Sequence, residues 1–268
     1  ISYFYSDFNN QKNIFWFKNA IYLYLFLRCC YWVNNFKLLF GNNALIFPSS
    51  GRIGFFKDMA FILLNYPSVQ LSILFLLSVL ILSFIKIIAN SNNLIIIFLV
   101  DVIIWICTVN LNNKVYATET AGDFLVNILL FYNIFLCKNP NSAMPLRDIR
   151  VLVHNISLVA CLIQICMVYF FSGLAKVGDE YWRNGSAINF ISQIKHFSIP
   201  ASVVFSLSFP IIFKFLNYIV LIYQLVFPIM VFSKKMKNTF LIIGILMHLY
   251  IAIIMGLLWF GLIMIICY

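Results

Sequence analysis

The segment Val151–Ser172, VLVHNISLVACLIQICMVYFFS, contains no lysine, arginine, aspartate or glutamate over its 22 residues. A helix needs roughly 20 mainly apolar residues to cross the hydrocarbon of a bilayer, so this segment predicts a membrane-spanning helix. We expect that helix to leave the membrane at Gly173. Charged and aromatic residues follow at once in GLAKVGDEYWRNG, residues 173–185. This junction therefore holds the chain's densest group of residues capable of chemistry.

The composition of the whole chain is that of a membrane protein. Of its 268 residues, 63% are hydrophobic and 10% are charged, and the mean hydropathy is +0.99. Soluble domains carry about 25% charged residues. We therefore predict an all-α polytopic membrane protein, with residues 1–268 forming a single transmembrane domain and no separate soluble domain.

Apolar segments of spanning length recur along the chain and predict about seven transmembrane helices, with a range of six to eight. Besides the segment quoted above, they are residues 14–33, 68–89, 94–109, 122–137, 211–232 and 239–267. Two further stretches mix basic, aromatic and apolar residues and predict short interfacial helices. They are residues 51–65, GRIGFFKDMAFILLN, and residues 181–198.

The formal net charge of +10 indicates anionic lipid as a partner rather than nucleic acid. Basic residues of membrane proteins flank the spans on the cytoplasmic side, and no pattern of a nucleic-acid module is present. With a cytoplasmic amino terminus, nine lysines and arginines fall in inner segments, Lys18 and Lys86 among them, and seven fall in outer segments. This count favours an integral protein of the plasma or inner membrane with Lys176 on its exoplasmic face.

Metal chemistry is not expected from this sequence. Its seven cysteines form no C-x-x-C motif, and its three histidines lack ligand spacing. Nearly all the cysteines lie in or beside apolar runs, where they act as small buried hydrophobes.

An ordered set of motifs links the junction to the rest of the chain. The central one contains Gln164, Tyr169, Phe170, Gly173, Leu174, Lys176, Trp182 and Gly185. Gly122-Asp123 opens an earlier span, and a late segment contains His248, Leu249, Gly256, Phe260 and Met264. These pieces resemble the horizontally transferred transmembrane (HTTM) domain family, which includes vitamin K-dependent gamma-carboxylase and the sporulation-delaying-protein B group. The family's central pattern is Q-x-x-x-x-Y-F-x-x-G-L-x-K followed by W-x-x-G.

The resemblance implies a catalytic role for Lys176, as the base that deprotonates reduced vitamin K, a menaquinol-type quinone. It places Asp123, Tyr169, Trp182 and His248 around the pocket, together with Gly185. A lysine acts as a base near neutral pH only when an apolar wall desolvates it. Seven residues make about two helical turns, so Lys176 and Tyr169 share one face if the helix continues that far.

Each pocket residue also has a structural interpretation. Lys176 is equally an interfacial anchor at the end of a span. Asp123 either caps a helix or faces Lys176 across the site. His248 in an apolar helix is a core histidine or a catalytic one, and Trp182 belongs to an interfacial aromatic belt or stacks on substrate.

Asp101, Arg28 and Gln164 are further polar side chains within predicted spans. Asp101 forms a structural pair with Arg28 or Lys214, or else serves in a proton relay. Arg28 snorkels, finds a partner or binds a lipid phosphate. Gln164 is an intramembrane polar residue of the central motif, and the glycines Gly173 and Gly185 allow a turn or close helix packing.

Three functions are compatible with these residues. The first is an enzyme with gamma-glutamyl carboxylase-like activity, which modifies an exported polypeptide at the exoplasmic face with a quinol cofactor. The second is a non-catalytic membrane subunit or chaperone that binds an exported peptide or another membrane chain during peptide-toxin maturation or secretion. A transporter or channel ranks last, because it needs polar residues along several spans.

Overall fold

The computed structural model describes residue 7 and residues 10–41, 69–88, 93–115, 118, 120–137, 146–194 and 206–268. Throughout these ranges the regular elements are helices, which confirms the predicted all-α class. They are α1 (Gln11–Asn34), α2 (Phe36–Leu39), α3 (Val69–Ile88), α4 (Leu94–Lys114), α5 (Ala121–Phe135), α6 (Arg147–Gly178), α7 (Glu180–Asn184), α8 (Ala187–Gln193), α9 (Pro210–Met230), α10 (Lys237–Ile253) and α11 (Leu258–Ile266).

Four of the described helices, α3, α4, α6 and α9, are long and apolar enough to cross a membrane. They indicate a membrane-embedded protein. Helices α5 and α10 are apolar but shorter, and α1 carries three basic residues. The count of seven spans stays a prediction.

The last predicted span is a helical hairpin, so the expectation of one long helix over residues 239–267 was wrong. Helix α10 ends at Ile253, and α11 begins at Leu258 and packs back against it. Gly256 provides the turn with a φ of 70°, which glycine adopts without steric cost. Nine residues of α11 span about 13 Å, too little to cross a bilayer.

The chain divides into two compact units, residues Ile1–Leu158 and Val159–Tyr268. Helix α6 begins in the first unit and ends in the second. In the first unit α1 packs against α3, α3 against α4, and α4 against α5. In the second, α9 packs against α7, α8 and α10. The expected interfacial helix at residues 51–65 lies outside the described residues. Of residues 181–198, the structure describes 181–194, which the short helices α7 and α8 largely cover.

A buried carboxylate joins three helices of the first unit. Asp101, on α4, is 3% exposed. Its Oδ1 lies 2.7 Å from Lys86 Nζ of α3 and accepts a 2.7 Å hydrogen bond from the hydroxyl of Tyr22 on α1. Its Oδ2 lies 3.4 Å from Lys18 Nζ, also on α1. Asp101 therefore pairs with Lys18 and Lys86, and the expected pairing with Arg28 or Lys214 was wrong.

Lys18 also ties the fourth helix into this cluster. Its ammonium donates to the carbonyls of Asn133 and Leu136, at 2.7 and 2.8 Å. These carbonyls lie at the end of α5, where the last four carbonyls of a helix have no partner within the helix. The Asn133 amide in turn donates to the Tyr22 hydroxyl at 3.0 Å.

The two lysines beside Asp101 also bond backbone carbonyls. A helix C-terminus carries about half a negative charge, and Lys18 bonds the carbonyls at the end of α5. Lys86 donates to the carbonyl of Ile97, on α4, at 3.2 Å. The carboxylate and these carbonyls are therefore the acceptors of the two ammonium groups.

These pairings remove the basis of the predicted orientation. Lys18 and Lys86 were counted among the inner basic residues, yet both bind Asp101 instead of facing lipid headgroups. Without them the nine inner residues become seven, equal to the seven outer ones. The cytoplasmic amino terminus and the exoplasmic active face stay predictions.

We expect Asp101→Asn to lower the free energy of unfolding by roughly 3–5 kcal/mol, because removal of one partner leaves buried charges uncompensated. Unfolding in mixed detergent micelles, followed by circular dichroism, measures the loss. Asp148→Asn is the matched control, since Asp148 is exposed in the first turn of α6. Equal losses for the two variants would contradict the prediction.

Candidate functional site

The Lys176 side chain lies on a continuous helix, because α6 runs through Gly173 and ends only at Gly178. The exit from the membrane at Gly173 stays a prediction, and the condition under which Lys176 and Tyr169 share one face is met. Lys176 Nζ donates to the Ser172 hydroxyl, one turn earlier, at 2.8 Å. The lysine is half-buried.

An aromatic ring covers the Lys176 amine. Nζ lies 4.9 Å from the centroid of the Trp182 ring, within the range of cation–π attraction. The chain turns at Asp179, whose Oδ1 accepts from the Trp182 backbone amide at 3.2 Å and caps α7. This reversal brings Trp182 back over the end of α6.

Helix α9 holds that turn in place. The amide of Asn217, a fully buried residue, donates to the Trp182 carbonyl at 2.8 Å. The Tyr218 hydroxyl donates to the Arg183 carbonyl at 3.0 Å. Two backbone carbonyls of α7 therefore accept hydrogen bonds from side chains of α9. These bonds fix the backbone at Trp182 and so hold its ring in position.

Glycine is required at both motif glycines, for different reasons. Gly185 ends α7 with a φ of 83°, in the left-handed region. A Cβ there would lie 2.6 Å from Lys214 Cγ. Gly173 has helical geometry, and a Cβ would lie 2.8 Å from Leu225 Cδ2. Gly173 thus serves close helix packing, whereas Gly185 serves both a turn and close packing.

Tyr169 and His248, both predicted as pocket residues, are in contact. The Tyr169 hydroxyl lies 2.7 Å from His248 Nε2, and each residue is 2% exposed. The Tyr169 hydroxyl also contacts that of Tyr268, which lies 3.4 Å from the Tyr223 hydroxyl. Tyr223 donates to the Phe240 carbonyl at 2.9 Å.

Small residues make room for this group of hydroxyls. A Cβ at Gly244 would overlap the hydroxyls of Tyr223 and Tyr268. A Cβ at Gly261 of α11 would lie 2.6 Å from Ala252 and from the His248 carbonyl. These two glycines let α11 fold back closely enough to deliver Tyr268.

Asp123 lies in the first unit, where it serves as a helix cap. Its Oδ2 accepts from the Thr120 backbone amide at 2.7 Å, within a capping box at the start of α5. Its Oδ1 lies 3.2 Å from Arg28 Nη2. The interpretation of Asp123 as a helix cap is confirmed, and Arg28 pairs with its carboxylate. A role for Asp123 in a pocket stays a prediction.

Gln164, the remaining motif residue, is half-buried on α6. It precedes Tyr169 by five residues, about 140° around the helix, so it lies on a different face. Cys161, Ile165, Tyr169 and Gly173 recur every four residues and form the buried stripe of this part of α6.

Four residues of the site were not predicted: Ser172, Asn217, Tyr223 and Tyr268. Ser172 could have been found, since it stands four residues before Lys176 and so on the same helical face. Asn217, within an apolar helix, carried the general signal of an intramembrane polar residue. Nothing in the sequence distinguishes Tyr223 and Tyr268 from core aromatics.

Comparison of the chain with models of known protein families, with curated proteins and with solved structures gives no match. The HTTM resemblance therefore rests on the motif residues themselves and stays a prediction.

We expect Gly185→Ala to lower the free energy of unfolding by roughly 1–2 kcal/mol, the cost of a left-handed conformation for a residue with a Cβ. Gly178→Ala is the matched control, because a Cβ at Gly178 meets nothing within 4 Å. Detergent unfolding curves of both variants measure the difference. A Gly185→Ala protein as stable as Gly178→Ala would show that neither the turn nor the Lys214 contact matters.

Proposed function

We propose that this chain is an HTTM-like integral membrane enzyme that modifies an exported polypeptide at the exoplasmic face by vitamin K-dependent carboxylase-like chemistry. Lys176 is the catalytic base. The observation that carries the proposal is the setting of its amine, which is half-buried between a neutral hydroxyl and an aromatic face.

The lysines of the first unit provide the contrast. Lys18 and Lys86 form ion pairs with the Asp101 carboxylate. No carboxylate pairs with Lys176 anywhere in the part of the chain that the structure describes. An amine without a counter-ion gives up its proton at lower cost than one locked in an ion pair.

The Ser172 hydroxyl suits both protonation states of that amine. It accepts a hydrogen bond from the ammonium group, as it does here at 2.8 Å. A hydroxyl also donates, so it can bond the nitrogen lone pair once the proton has left. The Trp182 ring favours the charged form and so stabilises the amine after it has taken a proton from a substrate.

These residues fit a quinol in chemical terms. A basic nitrogen, a hydroxyl and an aromatic face match a flat ring that carries phenolic hydroxyl groups. Reduced vitamin K, on reaction with dioxygen, would supply the strong base that permits carbon dioxide to add to a peptidyl glutamate. Lys176 would accept the phenolic proton, and Trp182 and Ser172 would hold the amine in position.

We expect Lys176→Arg and Lys176→Ala each to abolish carboxylation while the protein level holds. Arginine keeps the charge and the contact with Trp182, but it stays protonated and so cannot act as a base. The assay is incorporation of labelled carbon dioxide into glutamate of exported polypeptides, in cells supplied with vitamin K hydroquinone.

Lys235→Ala is the control, because Lys235 is exposed in the same unit. Full activity in Lys176→Arg together with loss in Lys176→Ala would identify Lys176 as an interfacial anchor. Full activity in both variants would exclude it from the reaction altogether.

A further inference from the structure

Four side chains of the second unit form a continuous hydrogen-bonded series, here called the tyrosine chain. It runs from His248 Nε2 through the hydroxyls of Tyr169, Tyr268 and Tyr223 to the carbonyl of Phe240. Each tyrosine contributes a single hydrogen, and each contact needs one. The direction of the whole series can therefore be worked out from its fixed end.

That end is the Phe240 carbonyl, which can only accept. The Tyr223 hydrogen is used there. The contact between Tyr223 and Tyr268 then takes the hydrogen of Tyr268, and the next contact takes that of Tyr169. No tyrosine hydrogen is left for the contact with His248, so it must come from Nε2. This is the one direction that gives every contact in the series a hydrogen.

A neutral imidazole carries its proton on one nitrogen and accepts on the other. With Nε2 protonated, His248 Nδ1 is a bare lone pair. That atom is buried, and it has no hydrogen-bond partner among the described residues. A buried acceptor without a donor is costly, so Nδ1 calls for a donor from beyond the described residues.

We propose that His248 Nδ1 accepts a hydrogen bond from the hydroxyl group of an apolar, lipid-soluble molecule bound in the second unit. The rings packed around the imidazole are Tyr169, Phe260 and Tyr268, with centroids 5.5–6.2 Å away. A neutral hydroxyl enters such aromatic surroundings at far lower cost than a charged donor. Tyr268 and Tyr223 are positioning residues, since they act by fixing which nitrogen of His248 holds the proton.

The inference extends the proposed function, and rests on it for the idea that this unit binds a quinol-like molecule. It involves neither Lys176 nor a carboxylation step. Its test can therefore fail while the Lys176 experiment succeeds, and the reverse also holds.

The first measurement is the tautomer of His248 by ¹⁵N NMR of the full chain in lipid nanodiscs. The chain contains three histidines, and the signals lost in His248→Phe assign those of His248. We expect a protonated Nε2 and an unprotonated Nδ1. A protonated Nδ1 would overturn the proposal, whatever the variants do.

The second measurement compares 4-nonylphenol with its methyl ether, 4-nonylanisole, which has the same shape but no hydroxyl hydrogen. We expect the phenol to shift the Nδ1 signal and to bind roughly fivefold more tightly than the ether, the typical effect of one hydrogen bond. Equal binding of the two probes, or no shift with either, would also overturn the proposal.

Tyr268→Phe separates positioning from mere packing. Loss of this hydroxyl frees the Tyr169 hydrogen to bond Nε2, so the proton of His248 moves to Nδ1 and the preference for the phenol disappears. Tyr218→Phe is the matched control, because Tyr218 lies on α9 and bonds the Arg183 carbonyl outside the tyrosine chain. If His248 stays protonated at Nε2 in Tyr268→Phe and the variant still binds the phenol more tightly than the ether, the positioning role would be refuted.

Discussion

A carboxylate held between two lysines, inside an apolar helical unit, organises the first half of this protein. Asp101 alone would be too costly to bury, and so would either lysine. Together they form ion pairs, the carbonyls at the end of α5 accept from Lys18, and the hydrogen bonds of the group reach all four helices. Hydrophobic packing between apolar helices in lipid gives little directional preference. The polar group supplies this preference, because its ion pairs and hydrogen bonds form only between particular positions on α1, α3, α4 and α5.

The second unit is joined by neutral polar groups instead of ion pairs. These groups are hydroxyls, amides and an imidazole, and their hydrogen bonds end on backbone carbonyls. Lys176 is set among neutral neighbours, where Lys18 and Lys86 are set beside a carboxylate. The same residue type is thus paired with a carboxylate in one unit, and with a hydroxyl and an aromatic ring in the other. The charge of the nearest partner distinguishes the two settings.

The candidate site shows which contacts the spacing of a motif can predict and which it cannot. The interval of seven residues between Tyr169 and Lys176 correctly placed both on one helical face once α6 was seen to continue. Their partners lie far away in the chain: His248 is 79 residues from Tyr169, and Tyr268 is 99 residues from it. Trp182 is close in sequence, yet its position over Lys176 depends on Asn217 of α9. Helical periodicity orders residues within one element and carries no information about which element packs beside it.

Composition and apolar run length alone determined that this chain is helical and membrane-embedded, because a bilayer admits few other ways to satisfy the backbone. The Thr120–Asp123 cap and the glycine at position 185 could also be read locally, since both depend on neighbouring residues. Tertiary structure decided the partners of Asp101, the hairpin of α10 and α11, and the series from His248 to Tyr223. These depend on pairings between helices, and many pairings of apolar helices have similar packing energy. Hydrogen bonds and ion pairs between buried polar atoms favour one of these pairings. Which atoms pair is determined only when all the helices are in place.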